Sequence, residues 1–367
     1  MHGQWTGFYT GTNDGYVMID LDPVDNQVQG HAYLTEVGDL PSFLARICLD
    51  ANVATQTVDV KLTPVHPQSG DIFTAEELLE KYPTYDFPNQ ATLTVVSTSS
   101  KLSITWVTPI GTQGEAEVFP SKASSPSEIV AESDVGDWSA YKAYVFSTQI
   151  DRFIYRGQSK PWRLRTSFHR TNRKDLVRLH NIDIPILHKS LISQTPFHYD
   201  LSNINHNAAF WHMIQHHGYP TPLMDWTHSP FVAAYFAYKG AVGMRSAGDK
   251  VRILMFDSLS WRNTLNQLQY INPPCRHVSM LEALAYDNAR SLPQQSLFMV
   301  TNIDDVESYV LEQEVRSGKR YLRAFDLDVA DRELALAELR MMGVTQGSMF
   351  PGLDGICEDI KSRFFGV

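Results

Sequence analysis

Residues 215–238, QHHGYPTPLMDWTHSPFVAAYFAY, contain the strongest local signals for the fold of the second half of this chain. Gly218 predicts the end of a helix over 205–218, because glycine readily adopts the left-handed conformation that follows a last helical turn. Ser229 and Pro230 predict a new helix over 229–242, with Ser229 as its N-cap. Asp225 stands between apolar groups, where a carboxylate is stable only beside a cation or in its protonated form. The alternative is that Asp225 caps the helix that follows.

The rest of the second half alternates between helical and strand patterns without a strict order. Further helices are predicted over 137–150 and 173–193, and a closing helix over 329–343. Short apolar runs predict strands at the following places: 153–157, 250–257, 296–302 and 320–328. Mixed helices and strands without strict βαβ alternation are typical of an α+β domain, which we place at 137–367.

The first part of the chain has the pattern of an all-β domain. Asp14-Gly15 lies between two alternating stretches and predicts a tight hairpin turn. Short β-branched runs predict strands at 58–65, 91–98, 101–108 and 114–120, and one short helix is expected at 74–82. We therefore predict a β-sandwich or barrel over 1–122. The Ser-rich composition that follows predicts a linker over 123–136.

The charge distribution separates the same two parts. The chain has 367 residues and a net charge of −10, and a length of about 150 residues per domain favours two domains. Residues 1–135 contain 5 basic and 18 acidic groups, whereas the remaining 26 basic and 23 acidic groups give residues 136–367 a balance of +3. Eight basic residues and no acidic ones occur from Arg152 to Lys174. An acidic first domain would repel nucleic acid and anionic membranes, and the basic stretch is suited to a phosphorylated ligand.

The composition also suggests a location. Only three cysteines occur, which argues against a disulfide framework and favours a cytoplasmic protein. No apolar run approaches about 18 residues, so we expect no membrane-spanning helix, and the N-terminus lacks the features of a secretory signal.

Common catalytic motifs are missing, but three polar segments besides 215–238 remain. YRGQSKPWRLRTSFHR (155–170) places Arg156 at a strand end, where its forked guanidinium suits a phosphate, while Gly157 permits close approach. The alternative is an arginine paired with a structural carboxylate. In DNARSLPQQSLFMVTN (287–302), Arg290, Gln294 and Gln295 precede a strand, and the alternative is a loop whose amides bind neighbouring backbone. GVTQGSMFPGLDGICEDI (343–360) looks architectural, with Phe350 and Leu353 anchoring a turn.

A metal site is not expected. His212 and His216 are four residues apart on one predicted helix face, a spacing that can bind zinc. The segment offers no intervening glutamate base and no evident third ligand, so the pair falls short of a zinc-enzyme motif.

Taken together, the four segments resemble the FRG domain, a bacterial domain named for its (F/Y)-R-G motif. The naming motif is present as Tyr155-Arg156-Gly157, followed by W-x-L and S-x-x-R features. Residues 215–238 resemble the family's most diagnostic block, Q-H-x-G-x-P-T-x-L-x-D-W-T-x-S-P. The 290–298 and 350–355 segments follow in the expected order, so the resemblance covers about 137–367. Tyr155, Pro222 and Ser296 depart mildly from the family's usual residues.

The resemblance implies more about fold than about reaction. FRG domains often occur in genes of bacterial conflict and phage defence. The order of their blocks resembles that of ADP-ribosyltransferases, in which a strand arginine holds the diphosphate or ribose of NAD. By that analogy Arg156 holds NAD, Thr227 and Ser229 belong to the second block, and Gln294 or Gln295 takes the place of a late catalytic glutamate. Because glutamine has no charge, the carboxylate would come from Asp225. The ligand-binding residues would be Gly157, Gln158, His216, Trp226, Thr227, Ser229, Arg290 and Gln295.

Three functions follow from these observations. The first is an NAD-consuming effector that transfers ADP-ribose or hydrolyses NAD, with the N-terminal domain sensing an unknown protein partner or trigger. The second is a non-catalytic module that binds a nucleotide-like small molecule or a nucleic-acid end, which glutamine in place of glutamate favours. The third is a metal-dependent, nuclease-like toxin that uses Asp225, Glu358 and Asp359, although no paired-carboxylate spacing supports it.

Overall fold

The computed structural model describes residues 1–38, 40–244, 248–268, 270–271, 273–282 and 289–365. An N-terminal closed barrel of eight antiparallel strands is followed by an α+β region, as the sequence predicts. The strands of the barrel are β1 Gly3–Gly11, β2 Gly15–Val24, β3 Gln27–Glu36, β4 Ser42–Asp50, β5 Thr55–Val65, β6 Gln90–Ser97, β7 Leu102–Val107 and β8 Gln113–Pro120.

The barrel closes because β1 pairs with β8 as well as with β2. Two strands, β3 and β4, were not expected from the sequence. β3 lacks a clear strand pattern because Gly30 and polar residues interrupt its apolar positions. The glycine is required by the close approach of β2, since an added Cβ would be 1.8 Å from the carbonyl oxygen of Asp20. The one helix between the strands, α1 (Ala75–Lys81), begins at the capping box of Thr74 and Glu77.

The strand β2 is buried on both faces. Val17, Ile19 and Leu21 point into the apolar lumen, whereas the alternate residues Met18 and Asp20 are buried on the outside of the barrel. The outer face of β2 is covered by the second half of the chain, where Met18 packs with Val177. The barrel therefore contacts the second half of the chain through the outer face of β2, and its lumen is not part of this contact.

The second half contains a six-stranded antiparallel sheet in the order β12-β13-β10-β9-β11-β14. Its strands are β9 Phe153–Gln158, β10 Leu223–Thr227, β11 Lys250–Asp257, β12 Val278–Leu281, β13 Ser296–Thr301 and β14 Leu322–Asp328. The helices are α2 Trp138–Phe146, α3 Leu176–Arg178, α4 Ile184–Leu191, α5 Ile204–His216, α6 Pro230–Gly240, α7 Ser258–Thr264, α8 Ser291–Gln294, α9 Val306–Ser317, α10 Arg332–Met341, α11 Gln346–Met349 and α12 Leu353–Phe365. A π-helical turn, Leu179–Asp183, joins α3 to α4.

Helices cover both faces of this sheet. On one face α2, α6 and α10 enclose a core with Trp138, Tyr238 and Phe325. On the other face α7 and α9 pack over Trp226 and Phe256. The helix α5 completes a third cluster beside β10 and β13. Packing on both faces therefore fixes the positions of the central strands β9 and β10 and of their ends.

The Ser-rich segment after the barrel packs against the second half. Ile129 and Val135 are buried in two hydrophobic clusters of the second half, and the Ser127 hydroxyl donates to the Glu307 carboxylate at 3.0 Å. Its composition is that of a linker, yet these contacts hold it in place. The division at 122 and 136 stays a prediction.

Charged contacts join the barrel to the second half. The buried Asp22 carboxylate accepts hydrogen bonds from the Arg173 side chain at 2.9 Å and from the backbone of Lys174. The Gln4 side chain donates to the carbonyl oxygen of Asn302 at 2.8 Å. No described helix is long and apolar enough to cross a membrane.

Candidate functional site

A cleft opens where the central strands of the sheet separate. Strands β9 and β10 pair only through Tyr155 and Thr227, and beyond this pair the two strands diverge. The cleft has a volume of about 410 Å³, which lies in the range of small-molecule sites. Nine of the eleven predicted site residues line it: Arg156, Gly157, Gln158, His216, Asp225, Trp226, Thr227, Arg290 and Gln294.

Arg156 lies in the wall of the cleft without a carboxylate partner. Its Nη1 donates to the backbone carbonyl oxygen of Asp225, while its Nε is buried without a hydrogen-bond partner among the described residues. Burial lowers the pKa of this arginine, the nearby Asp225 carboxylate raises it, and Arg170 lowers it again. An arginine in this state retains donor capacity that a phosphate or carboxylate ligand would use.

Asp225 lies beside Arg156 in the cleft and does not cap α6. Its Oδ1 accepts a hydrogen bond from the Gln215 side chain at 2.5 Å, and its side chain is exposed to the cleft. The cap of α6 is Ser229, whose hydroxyl accepts from the backbone N–H of Val232 at 3.2 Å. Of the two placements weighed from the sequence, the structure has the one beside the arginine.

Most of the basic stretch from Arg152 to Lys174 is structural. Four arginines form ion pairs with distant carboxylates: Arg152 with Asp257, Arg163 with Asp305, Arg165 with Asp304 and Arg173 with Asp22. Arg156 and Arg170 form no such pair within the described chain, and both line the cleft. Arg290 lines the cleft as well, and Asp225 is the only carboxylate among the described lining residues.

His216 borders the cleft next to Asp225 and is held by its own helix. Its Nδ1 lies 3.1 Å from the carbonyl oxygen of His212, and the two imidazole rings are 4.4 Å apart. Burial lowers the pKa of His216, and it lowers the pKa of His212 to about 3. Both side chains are therefore uncharged near pH 7. Because the carbonyl oxygen of His212 can only accept, the proton of His216 is on Nδ1, and its Nε2 is a hydrogen-bond acceptor.

Gly157 owes its identity to helix packing. A Cβ at this position would lie 1.9 Å from the carbonyl oxygen of Ala233 and 2.8 Å from the backbone nitrogen of Ala237. The strand therefore carries glycine where α6 crosses it, and this contact sets α6 as one wall of the cleft.

Thr227 and Gln294 form hydrogen bonds that connect neighbouring segments of the cleft wall. The Thr227 hydroxyl donates to the backbone carbonyl of Gln294 at 2.7 Å, and the Gln294 amide donates to the carbonyl of Met349 at 2.8 Å. Gln295 is exposed in a left-handed conformation, and neither it nor Ser229 lines the cleft. Leu353, expected to anchor the last turn, is instead exposed.

Trp226 and Gln158 each have a buried polar atom that forms no hydrogen bond in the described structure. The Trp226 ring packs in the core 5.8 Å from Phe256, and its indole N–H is buried without a partner in the described structure. The Gln158 side-chain oxygen is likewise buried and unpaired. Arg290 stacks its guanidinium 5.2 Å from the centre of the Phe350 ring, so the 290 and 350 segments meet at the cleft.

Several cleft residues were not singled out from the sequence, among them Gln215, Arg170, Trp162 and Phe236. All four stand in quoted motif blocks, so their place in those blocks was the available signal. Phe236 falls in an apolar helix, where an aromatic residue is indistinguishable from core by pattern alone.

No three His, Cys, Asp or Glu side chains in the described ranges lie close enough to hold a metal ion. Glu358 and Asp359 belong to α12 and do not line the cleft with Asp225. The nuclease hypothesis therefore lacks an assembled carboxylate cluster in the described part of the chain.

The fold and the site define a two-part protein: a closed β-barrel joined to an α+β region that has an arginine-lined cleft at a strand separation. The chain contains an FRG domain, whose family model matches residues 151–243. The matched region includes Arg156 and Asp225 and thus the centre of the cleft. No match to this chain was found among curated proteins or among solved structures.

Proposed function

We propose that the cleft binds NAD and that the protein cleaves its nicotinamide–ribose bond, by hydrolysis or by transfer of ADP-ribose. The observation that carries the proposal is the placement of Arg156, which has unused donors, beside the carboxylate of Asp225 in one cavity. A dinucleotide needs two things there: cations for its diphosphate and a negative group near its reacting ribose.

Charge favours a diphosphate ligand. Arg156 and Arg170 form no ion pair with a carboxylate in the described chain, and Asp225 is the only carboxylate among the described lining residues, while His216 is neutral near pH 7. Two guanidinium groups in one cleft suit the two negative charges of a diphosphate. Hydrogen bonds between guanidinium and phosphate are charge-assisted and often bidentate.

Asp225 is the group suited to the chemical step. When the bond to nicotinamide breaks, its electron pair stays on the nicotinamide nitrogen, and positive charge develops on the ribose. A carboxylate near that ribose stabilises the developing charge. Water or an acceptor nucleophile then bonds to the anomeric carbon and loses a proton, which yields free ADP-ribose or an ADP-ribosylated acceptor.

The aromatic lining supplies surfaces for the two rings of the ligand. Trp162 is 53% exposed at the cleft, and Phe236 and Phe350 lie with ring centres 6.0 Å apart. A base stacked on an aromatic side chain gains about 1–3 kcal/mol. These rings would therefore add affinity beyond the charge contacts.

Release of nicotinamide from NAD by the full-length protein tests the proposal. We expect Asp225→Asn to reduce turnover about 100-fold or more while NAD binding is retained, because the amide keeps the shape and loses the charge. Arg156→Gln should weaken NAD binding about 10-fold or more, the equivalent of one charge-assisted contact. Arg316→Gln, an exposed arginine on α9, is the matched control. Turnover that is unchanged in Asp225→Asn contradicts the catalytic role.

A non-catalytic nucleotide-binding module is the second candidate, and one observation favours it. The Gln294 side chain is engaged with the backbone of Met349, and Asp225 is the only carboxylate among the described lining residues. If NAD binds with dependence on Arg156 and no nicotinamide is released under any condition, this reading replaces the first.

A role in bacterial conflict or phage defence would follow from the same chemistry. An enzyme that consumes NAD lowers the cellular NAD pool when it is active. We expect expression of the unmodified chain to deplete NAD and slow growth relative to Asp225→Asn, measured as NAD content per cell. Equal NAD content in the two cultures contradicts the effector role.

A further inference from the structure

The lumen of the N-terminal barrel is a second cavity, separate from the arginine cleft. It has a volume of about 290 Å³ and is walled mainly by apolar side chains of all eight strands. Eight-stranded barrels are just wide enough either to be filled by side chains or to hold one small ligand. A cavity of about 150 Å³ accommodates benzene, so this lumen has room for a ligand on the order of twice that size.

The lumen contains a polar pair, the Tyr9 hydroxyl and the Glu36 carboxylate. The Tyr9 hydroxyl and the Oε2 atom of Glu36 are buried and lie close enough that Tyr9 lowers the pKa of Glu36, but neither atom forms a hydrogen bond of regular geometry within the described structure. Tyr9 is 3% exposed, and its ring fits against Gly15, where an added Cβ would lie 2.3 Å from the phenol oxygen. Glu36 continues the series of lumen-facing residues on β3 that includes Ala32 and Leu34. A buried polar group without a full set of hydrogen bonds is costly, and a ligand in the lumen can supply the missing partner.

The charge of the lumen is negative. Glu36 and Asp86 line it, and no lysine, arginine or histidine is among its described lining residues. Burial raises the pKa of Glu36, the Tyr9 hydroxyl lowers it in part, and the nearby Asp14 carboxylate raises it further. A positively charged group bound in the lumen would offset the cost of the buried carboxylate.

Aromatic rings surround the same space. Tyr9 and Trp106 meet edge to face with their ring centres 5.5 Å apart, and Phe43 lies 6.2 Å from Phe87. Aromatic faces attract cations and also provide flat apolar contact area. The lining therefore combines an apolar body, aromatic faces and one buried acid.

We propose that the barrel lumen is a binding site for a small hydrophobic amine, whose ammonium group donates to Glu36 and whose apolar body lies among Tyr9, Trp106 and Phe43. The phenol of Tyr9 is placed to complete the polar end of the site. The barrel would then act as the ligand-sensing part of the protein. The proposal rests on the lumen alone and does not depend on the chemistry of the arginine cleft.

Calorimetric titration of the full-length protein with three matched probes tests the proposal. The probes are 2-phenylethylamine, 2-phenylethanol and 3-phenylpropionate, which share a phenyl body and differ in the charge of the polar end. We expect the amine to bind about 10-fold or more tightly than the alcohol, and the carboxylate to bind most weakly. Equal affinities for the three probes, or no binding by any of them, overturn the proposal.

Two variants locate the site. Glu36→Gln should weaken binding of 2-phenylethylamine about 10-fold and leave 2-phenylethanol unchanged. Glu117→Gln is the matched control, because Glu117 is an exposed barrel glutamate paired with Lys101. Far-ultraviolet circular dichroism of each variant confirms that the barrel is intact. Amine binding that is unaffected by Glu36→Gln contradicts the proposal.

Discussion

Gly157→Ala tests whether the close approach of α6 to β9 builds the cleft. The added methyl carbon would lie 1.9 Å from the carbonyl oxygen of Ala233, about 1.5 Å short of ordinary contact at 3.4 Å. The atoms it meets belong to the backbone of a packed helix, so relief requires α6 to move away from the sheet. Overpacking a core costs about 1–3 kcal/mol and sometimes more, and a backbone clash of this depth places Gly157→Ala at about 3 kcal/mol.

The assay is thermal unfolding followed by tryptophan fluorescence. For a domain of this size, a loss of about 3 kcal/mol corresponds to a decrease in Tm of roughly 6–12 °C. Gly136→Ala is the matched control, because a Cβ at Gly136 meets nothing within 4 Å. We also expect Gly157→Ala to bind NAD more weakly, since Ala233 and Phe236 belong to the wall that moves. A Tm for Gly157→Ala equal to that of Gly136→Ala would refute the packing argument.

Three further predictions concern stability and use urea denaturation of the full-length protein. Ser229→Ala removes the cap of α6 and should cost about 1 kcal/mol, whereas no loss would mean that the cap is dispensable. Asp22→Asn should cost about 2 kcal/mol by weakening the contact with Arg173, and a neutral result would remove that contact from the barrel interface. The pKa values of His212 and His277 are lowered by burial from 6.5 to about 3. Stability should therefore be complete above about pH 6.5 and decrease toward pH 3 by up to about 1.4 kcal/mol per pH unit for each histidine, a slope that His277→Phe should reduce.

Local chemistry made several elements of the second half predictable. The Ser229-Pro230 start of α6 and the apolar run of β11 are visible from neighbouring residues alone, because caps and strand patterns are local. The fold class could be predicted from the sequence for the same reason. In contrast, β3 was missed because its glycine satisfies a close contact with β2 that only the closed barrel creates.

The role of the basic stretch could not be read from the sequence. Arg163 and Arg165 find their carboxylates at Asp305 and Asp304, about 140 positions away, so no local pattern separates them from Arg156. The same holds for Gly157, whose neighbour is the backbone of α6. Motif blocks did indicate which residues meet at the cleft, because nine of the eleven predicted residues line it. Their chemical roles stay predictions.

We propose that the cleft between β9 and β10 binds a diphosphate through Arg156, and equilibrium binding of ADP-ribose tests this most directly. This measurement needs no turnover and no activating signal. Calorimetry should show ADP-ribose binding to the unmodified protein, binding weakened about 10-fold or more in Arg156→Gln, and binding unchanged in Arg316→Gln. Adenosine, which lacks the diphosphate, should bind both variants and the unmodified protein with the same weak affinity. An ADP-ribose affinity that is undetectable, or that is equal in Arg156→Gln and the unmodified protein, would contradict the account.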